Sequence, residues 1–173
     1  MDIKKNSREQ LNGLERILHK IPGFKGYYER ELRRDSDRLQ RDFIVKQLGK
    51  VKNGMNQALQ AASRRKDFDL LREQDLFVKA LDKTIGACRY ADGGYSGFFD
   101  LVKIREAELD NVYDLDARIV ESAVAFGEEF KALATASPGA FGLEPLREIL
   151  ERIDGLFEER TALLKGYDRG ETK

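Results

Sequence analysis

The sequence is poor in residues that form crosslinks, bind metals or interrupt helices. It has one cysteine, one histidine, no tryptophan and three prolines among 173 residues. The single Cys88 excludes an internal disulfide and suits a reducing compartment. No apolar run approaches the ~20 residues that span a membrane, and the first ten residues do not resemble a signal peptide. These absences predict a cytoplasmic protein without a membrane span.

Net charge is also missing, although charged residues are abundant. Lys plus Arg and Asp plus Glu number 31 each, and together they make up 36% of the chain. The balance leaves no overall field to attract nucleic acid or anionic lipid. Such a composition suits amphipathic helices with broad solvated faces.

Alternating strand patterns are absent as well, and apolar residues recur at helical spacing. Glycine and proline breaks at residues 22–23, 93–94 and 137–139 separate the periodic segments. We predict five helices, at residues 7–20, 27–64, 67–90, 98–135 and 143–165, before a frayed tail at 166–173. The predicted fold is all-α, a single domain over residues 1–173. It forms an elongated antiparallel up-and-down bundle of four to five helices, two of them long.

Two turns in the sequence read alike at a constant offset of 71 residues. GFKGYYE at residues 23–29 and GYSGFFD at residues 94–100 share a glycine–aromatic pattern. One interpretation is a duplication of helical hairpins 7–64 and 67–135, with helix 143–165 added. The other is convergence, because a sharp turn between helices favours glycine. The aromatic residues would either seal one bundle end or form a binding cleft; they are Phe24, Tyr27, Tyr28, Tyr95, Phe98 and Phe99.

Two charged residues interrupt the apolar stripe of the predicted helix 98–135. Arg105 and Asp116 occupy core positions, where an unpaired charge would cost several kcal/mol. The beginning of the helix 27–64 supplies possible partners, and we predict an internal Arg–carboxylate network between the two helices. The binding candidates of this charged layer are Arg34, Asp37, Arg41, Arg105 and Asp116. The network would either fix helix register or form a polar site for a ligand or metal.

Charge is also sorted along the chain. Residues 46–66 carry six basic side chains and no acid, whereas residues 106–129 carry eight acids and one arginine. We expect these two segments to neutralise each other in the fold. A stripe that binds a partner is the alternative.

The sequence offers no catalytic constellation. His19 has no Glu three residues before it, as a di-iron bundle would require, and nothing brings it near Cys88 as a nucleophile–base pair. The acidic row Glu106, Asp110 and Asp114 is more typical of a solvated helix face than of a metal site. We therefore predict no catalytic residue, metal ligand or cofactor.

Three motif blocks carry a family resemblance. They resemble blocks in a family of small, uncharacterised α-helical proteins of bacteria and archaea. The first block comprises IPGFKGY at residues 21–27 and ELRRDSDRLQR at 31–41, the second is YADGGYSGFFD at 90–100, and the third is YDLD at 113–116. The blocks cover about a quarter of the chain. The resemblance implies one helical domain and supplies no activity to transfer.

The sequence thus favours a non-enzymatic helical interaction or scaffold protein, which binds an unknown protein partner or itself. One alternative is a bundle that binds a metal or small ligand at the Arg/Asp network. A second alternative is a membrane- or nucleic-acid-associated helical protein that uses the basic segment 46–66.

Overall fold

The computed structural model describes residues 12–90, 106–137 and 140–168. Within these ranges the chain forms five helices and no strand, which confirms the all-α prediction. The helices are α1 (Gly13–Lys20), α2 (Arg30–Arg65), α3 (Phe68–Tyr90), α4 (Glu106–Ala136) and α5 (Glu144–Asp168). None of the described helices has an apolar stretch long enough to cross a membrane.

Helix α1 begins with a reciprocal capping box. The Asn12 side chain accepts a hydrogen bond from the Glu15 backbone at 2.9 Å, and the Glu15 carboxylate accepts one from the Asn12 backbone at 3.0 Å. The helix ends at Ile21, whose extended backbone is the conformation that a following proline imposes.

Helix α2 begins three residues later than predicted, at Arg30. Residues 27–29 belong instead to the preceding turn, in which Tyr27 is fully buried. At its other end α2 stops at Arg65, and Lys66 adopts a left-handed conformation with φ of 58°. The Asp67 carboxylate then accepts a hydrogen bond from the Leu70 backbone at 3.1 Å, which caps α3.

The chain forms two compact units. The first comprises residues 1–40, 92–120 and 156–173, and the second comprises residues 41–91 and 121–155. Helix α1 therefore lies in the first unit and α3 in the second, while α2, α4 and α5 contribute residues to both.

Contacts inside each unit give the helix directions. In the second unit Lys52 pairs with Asp82 at 2.5 Å, and the Cys88 thiol lies 3.8 Å from the Arg41 carbonyl. Because the residue number falls on α3 as it rises on α2, these helices are antiparallel. In the first unit α4 and α5 run antiparallel by the same criterion, since Asp116 and Arg118 pair with Arg160 and Glu159. The up-and-down arrangement follows.

Apolar side chains at helical spacing fill both units. In the second unit the buried face of α3 carries Phe77, Leu81 and Ile85, and the Phe77 ring lies 6.3 Å from that of Phe126 on α4. The side chain of Cys88 is also buried. In the first unit the core includes Ile17, Ile21, Val112 and Leu164.

One lysine of the basic segment pairs with an acid outside the predicted acidic segment. Lys52 forms its ion pair with Asp82 of α3, in the second unit. The sequence had placed the neutralising acids on the helix that contains residues 106–129. The acid on α3 lies within reach because α2 and α3 are antiparallel neighbours.

Candidate functional site

The turn before α2 brings two aromatic rings into the first unit. Gly23 and Gly26 have φ of 84° and 85°, a left-handed conformation that glycine adopts without strain. The Phe24 ring contacts the Tyr27 ring edge-on, with their centroids 5.4 Å apart. The Tyr27 ring stacks on that of Tyr113 of α4 with nearly parallel planes and a centroid separation of 5.1 Å. A side chain on Gly26 would collide with the Tyr113 hydroxyl, 2.8 Å from the position of its Cβ. The glycine therefore permits the close approach of the two tyrosines.

The Tyr27 hydroxyl lies at the centre of a buried polar cluster. It is 2.7 Å from Asp116 Oδ2 and 2.5 Å from Gln40 Oε1, and these two acceptors compete for its single proton. The ionised carboxylate is the stronger acceptor. Burial raises the pKa of Tyr27 well above its ordinary value, and the neighbouring Asp116 raises it further. Tyr27 is therefore a neutral donor at physiological pH.

Arg160 of α5 joins two carboxylates from different helices. Its Nε lies 2.6 Å from Asp116 Oδ1 on α4, and its Nη2 lies 2.8 Å from Asp37 Oδ1 on α2. Burial alone would lower the pKa of Arg160, but Asp116 and Asp37 outweigh that effect and hold its pKa well above the ordinary value. The guanidinium therefore stays charged and holds α2, α4 and α5 together in the first unit.

The backbone of the turn is tied to the same cluster. Arg33 Nε donates to the Tyr27 carbonyl at 2.7 Å, and the Tyr27 N–H donates to the Tyr113 hydroxyl. Burial raises the pKa of Tyr113 to about 12. We define the polar cluster as Tyr27, Arg33, Asp37, Gln40, Tyr113, Asp116 and Arg160. Because its charged and hydroxyl groups already bind each other, the geometry fits the role of fixing helix register better than that of a ligand site.

The predicted aromatic and charged candidates occupy different environments. The structure buries Phe24, Tyr27, Asp37 and Asp116 in the first unit, and Arg41 is buried in the second. The Arg34 side chain is exposed on α2, and Tyr28 is half exposed, with its ring 5.6 Å from that of Tyr113. The remaining candidates, Tyr95, Phe98, Phe99 and Arg105, lie outside the described residues.

Sequence reasoning missed the cation that completes the cluster. The network was predicted between the helix 27–64 and the helix 98–135, yet the residue that links Asp37 to Asp116 is Arg160 on α5. A signal was present, because Arg160 follows Ile153 and Leu156 in the apolar stripe of its helix and precedes Leu164. Asp116 was identified as a charged residue within an apolar stripe, and the same criterion applied to α5 identifies Arg160.

A second feature, also missed, lies on the outward side of α3. Phe68, Leu76 and Tyr90 are 72%, 52% and 74% exposed. They belong to a series whose members are three or four residues apart, residues 68, 72, 76, 79, 83, 86 and 90, which faces away from the buried stripe of the same helix. We call this series the α3 outer face. Its apolar side chains extend over about 33 Å of helix.

The acidic row and His19 were the remaining candidates for a metal site. Among the residues that the structure describes, no group of three His, Cys, Asp or Glu side chains could hold a metal ion. Within the acidic row, Asp114 pairs with Arg16 of α1 at 2.8 Å, and Asp110 is exposed. The His19 side chain is exposed in the last turn of α1.

The search for similar proteins found no match to this chain among protein-family models, curated proteins or solved structures. The family resemblance of the three motif blocks therefore stays a prediction.

Proposed function

We propose that this protein is a non-enzymatic helical binding module, which engages a helix of a partner protein through the α3 outer face. The observation that carries the proposal is the exposure of Phe68, Leu76 and Tyr90 on one side of one helix. Single exposed apolar residues are common on protein surfaces. Three large ones along one side of a single helix are typical of a helix–helix contact.

The internal arrangement of α3 supports this proposal. The opposite side of the helix is already used, because Phe77, Leu81 and Cys88 are buried in the second unit. Ion pairs between Glu73 and Arg147 and between Asp82 and Lys52 join α3 to its neighbours. The helix is thus held rigidly by one side and presents the other, so little conformational entropy would be lost on binding.

The polar cluster gives less support to the alternative of a metal- or ligand-binding bundle. Asp116 and Asp37 are both engaged by Arg160, and Asp116 also accepts the Tyr27 hydroxyl. A ligand would have to displace these buried charge-assisted contacts. We therefore place function on the α3 outer face and assign the cluster to stability.

Affinity capture from a lysate of the native cell tests the surface directly. Wild-type protein is compared with Leu76→Glu and with Leu18→Glu, a matched control whose side chain is 46% exposed in the first unit. We expect proteins that wild type and Leu18→Glu retain to be lost with Leu76→Glu, because a buried carboxylate at the contact is costly.

Light scattering of the same three proteins, measured across a concentration series, covers the case in which the partner is another copy. If the protein self-associates and only Leu76→Glu abolishes this association, the result would support the α3 outer face as the binding surface. Identical captured proteins and identical molar masses for all three, including no association at all, would contradict the proposed function.

A further inference from the structure

We infer that the partner of the α3 outer face is an amphipathic helix in which acidic residues interleave with apolar ones. This inference rests on the proposed function and deepens it by naming the chemistry of the partner. It follows from the charges that lie between the exposed apolar side chains.

The charged positions of the α3 outer face are all basic. Arg72 lies between Phe68 and Leu76, and Lys79 and Lys83 lie between Leu76 and Tyr90. All three basic side chains are exposed. A partner helix that docks on the apolar residues must therefore pass directly over these cations.

The acids of α3 already have partners or favourable positions within the chain. Glu73 and Asp82 form ion pairs with other helices of the second unit, and Asp75 pairs with Lys79 at 2.7 Å. The fourth acid, Asp69, lies in the first turn, where the helix dipole stabilises a negative charge. No described residue forms an ion pair with Arg72 or Lys83. These two cations are thus available to carboxylates of a partner.

A second copy of the chain fits this charge pattern poorly. Two parallel copies would place each cation against its equivalent. In the antiparallel register that sets Phe68 against Tyr90, Lys79 would meet Lys79, and Arg72 would lie opposite Gly86, which offers it no carboxylate. Facing like charges oppose association, whereas a helix with acids at those positions would form ion pairs along the whole face.

An anionic membrane surface fits less well than an acidic helix. A headgroup layer would meet the exposed carboxylates of Asp69 and Asp75 together with the cations, because both acids lie beside the α3 outer face. A partner helix can place its acids opposite Arg72 and Lys83 alone. Local pairing of this kind is available to a protein with a fixed sequence of charges.

Two synthetic helical peptides serve as probes, because the natural partner is unidentified. Each spans about three heptads with Leu at the contact positions; one has Glu and the other Lys at the positions that flank the contact. Binding to full-length protein is measured by fluorescence anisotropy. The protein variants are wild type, Leu76→Glu, the double variant Arg72→Glu/Lys83→Glu, and the matched control Lys46→Glu/Lys131→Glu, which makes the same charge change at exposed sites of the second unit away from α3.

We expect wild type and the matched control to bind the Glu peptide about tenfold or more tightly than the Lys peptide. Arg72→Glu/Lys83→Glu should reverse this preference, and Leu76→Glu should weaken binding of both peptides. Added salt should weaken the Glu-peptide complex of wild type.

The possible failures are distinguishable. If Leu76→Glu weakens binding but wild type binds both peptides equally, the acidic partner is wrong and the proposed function stands. If Leu76→Glu binds both peptides as wild type does, the surface itself is wrong. Binding of wild type to phosphatidylserine-containing vesicles, lost in Arg72→Glu/Lys83→Glu, together with equal affinity for the two peptides, would replace the acidic helix with a membrane.

Discussion

At the scale of single residues, Asp116 shows how a charge can occupy the interior of a helical fold. Its side chain is fully buried and accepts from Tyr27 and from the Arg160 guanidinium. Each oxygen therefore has a partner, and the desolvation cost is offset by short charge-assisted contacts. Gln74 of α3 gives the contrast, because it is equally buried but its amide has no hydrogen-bond partner among the described residues.

Asp116→Ala tests the polar cluster at this scale. We expect the variant to lose about 3–5 kcal/mol of unfolding free energy, because Arg160 keeps its buried charge with Asp37 as its remaining carboxylate partner. Urea denaturation followed by circular dichroism gives the value. The control is Asp110→Ala, an exposed position on the same helix, whose change should stay within about 0.5 kcal/mol. Equal midpoints for the two variants would refute the assignment of Asp116 as a structural charge.

At the scale of elements, α2 continues unbroken for 36 residues although two glycines lie in its middle. The glycines differ in their surroundings. A Cβ on Gly54 would lie 2.3 Å from ring carbons of Phe130 on α4, whereas a Cβ on Gly49 would meet no atom within 4 Å. Gly54 thus allows α4 to pack closely on α2 in the second unit, and Gly49 has no such role.

The two glycines of α2 form a natural pair of variants. Gly49→Ala should stabilise the protein by about 0.5–1 kcal/mol, because alanine restricts the unfolded chain and favours the helix. Gly54→Ala should instead destabilise it by about 1–3 kcal/mol through overpacking against Phe130. Thermal unfolding measures both. Introducing Phe130→Leu should remove most of the Gly54→Ala penalty, and a stabilising Gly54→Ala would show that the ring moves away without cost.

At the scale of the whole molecule, the buried tyrosines link folding to alkaline pH. Tyr27 and Tyr113 both have a raised pKa in the folded state, chiefly because burial disfavours the phenolate. The unfolded chain releases these protons near pH 10, but the folded chain keeps them. The contribution of the two tyrosines to the free energy of unfolding should therefore be fully present below about pH 10, and it should fall as the pH rises toward their pKa in the folded state.

Urea midpoints measured between about pH 8 and pH 12 test this linkage. For Tyr113, whose pKa is raised from 10.0 to about 12, the loss should amount to at most about 3 kcal/mol. Tyr113→Phe should lower stability at neutral pH, because the Tyr27 N–H loses its acceptor, yet it should flatten the alkaline fall. Tyr90→Phe, at a largely exposed position, should leave the pH profile unchanged. An identical profile for Tyr113→Phe and wild type would contradict the role of that hydroxyl.

The sequence by itself determined where the described helices end, to within three residues, although α1 begins at Gly13 rather than at residue 7 and α2 begins at Arg30 rather than at residue 27. The helix ends depend on local signals, namely periodic apolar residues and breaks such as that at Pro22, which act on chain neighbours. It also marked Asp116 as a charge that needed a partner. Only the tertiary structure decided that this partner is Arg160, since the two are 44 residues apart and meet through helix packing. Packing likewise decided that Lys52 pairs with Asp82 of α3, because a single helix does not specify which neighbour its charged side chains will face.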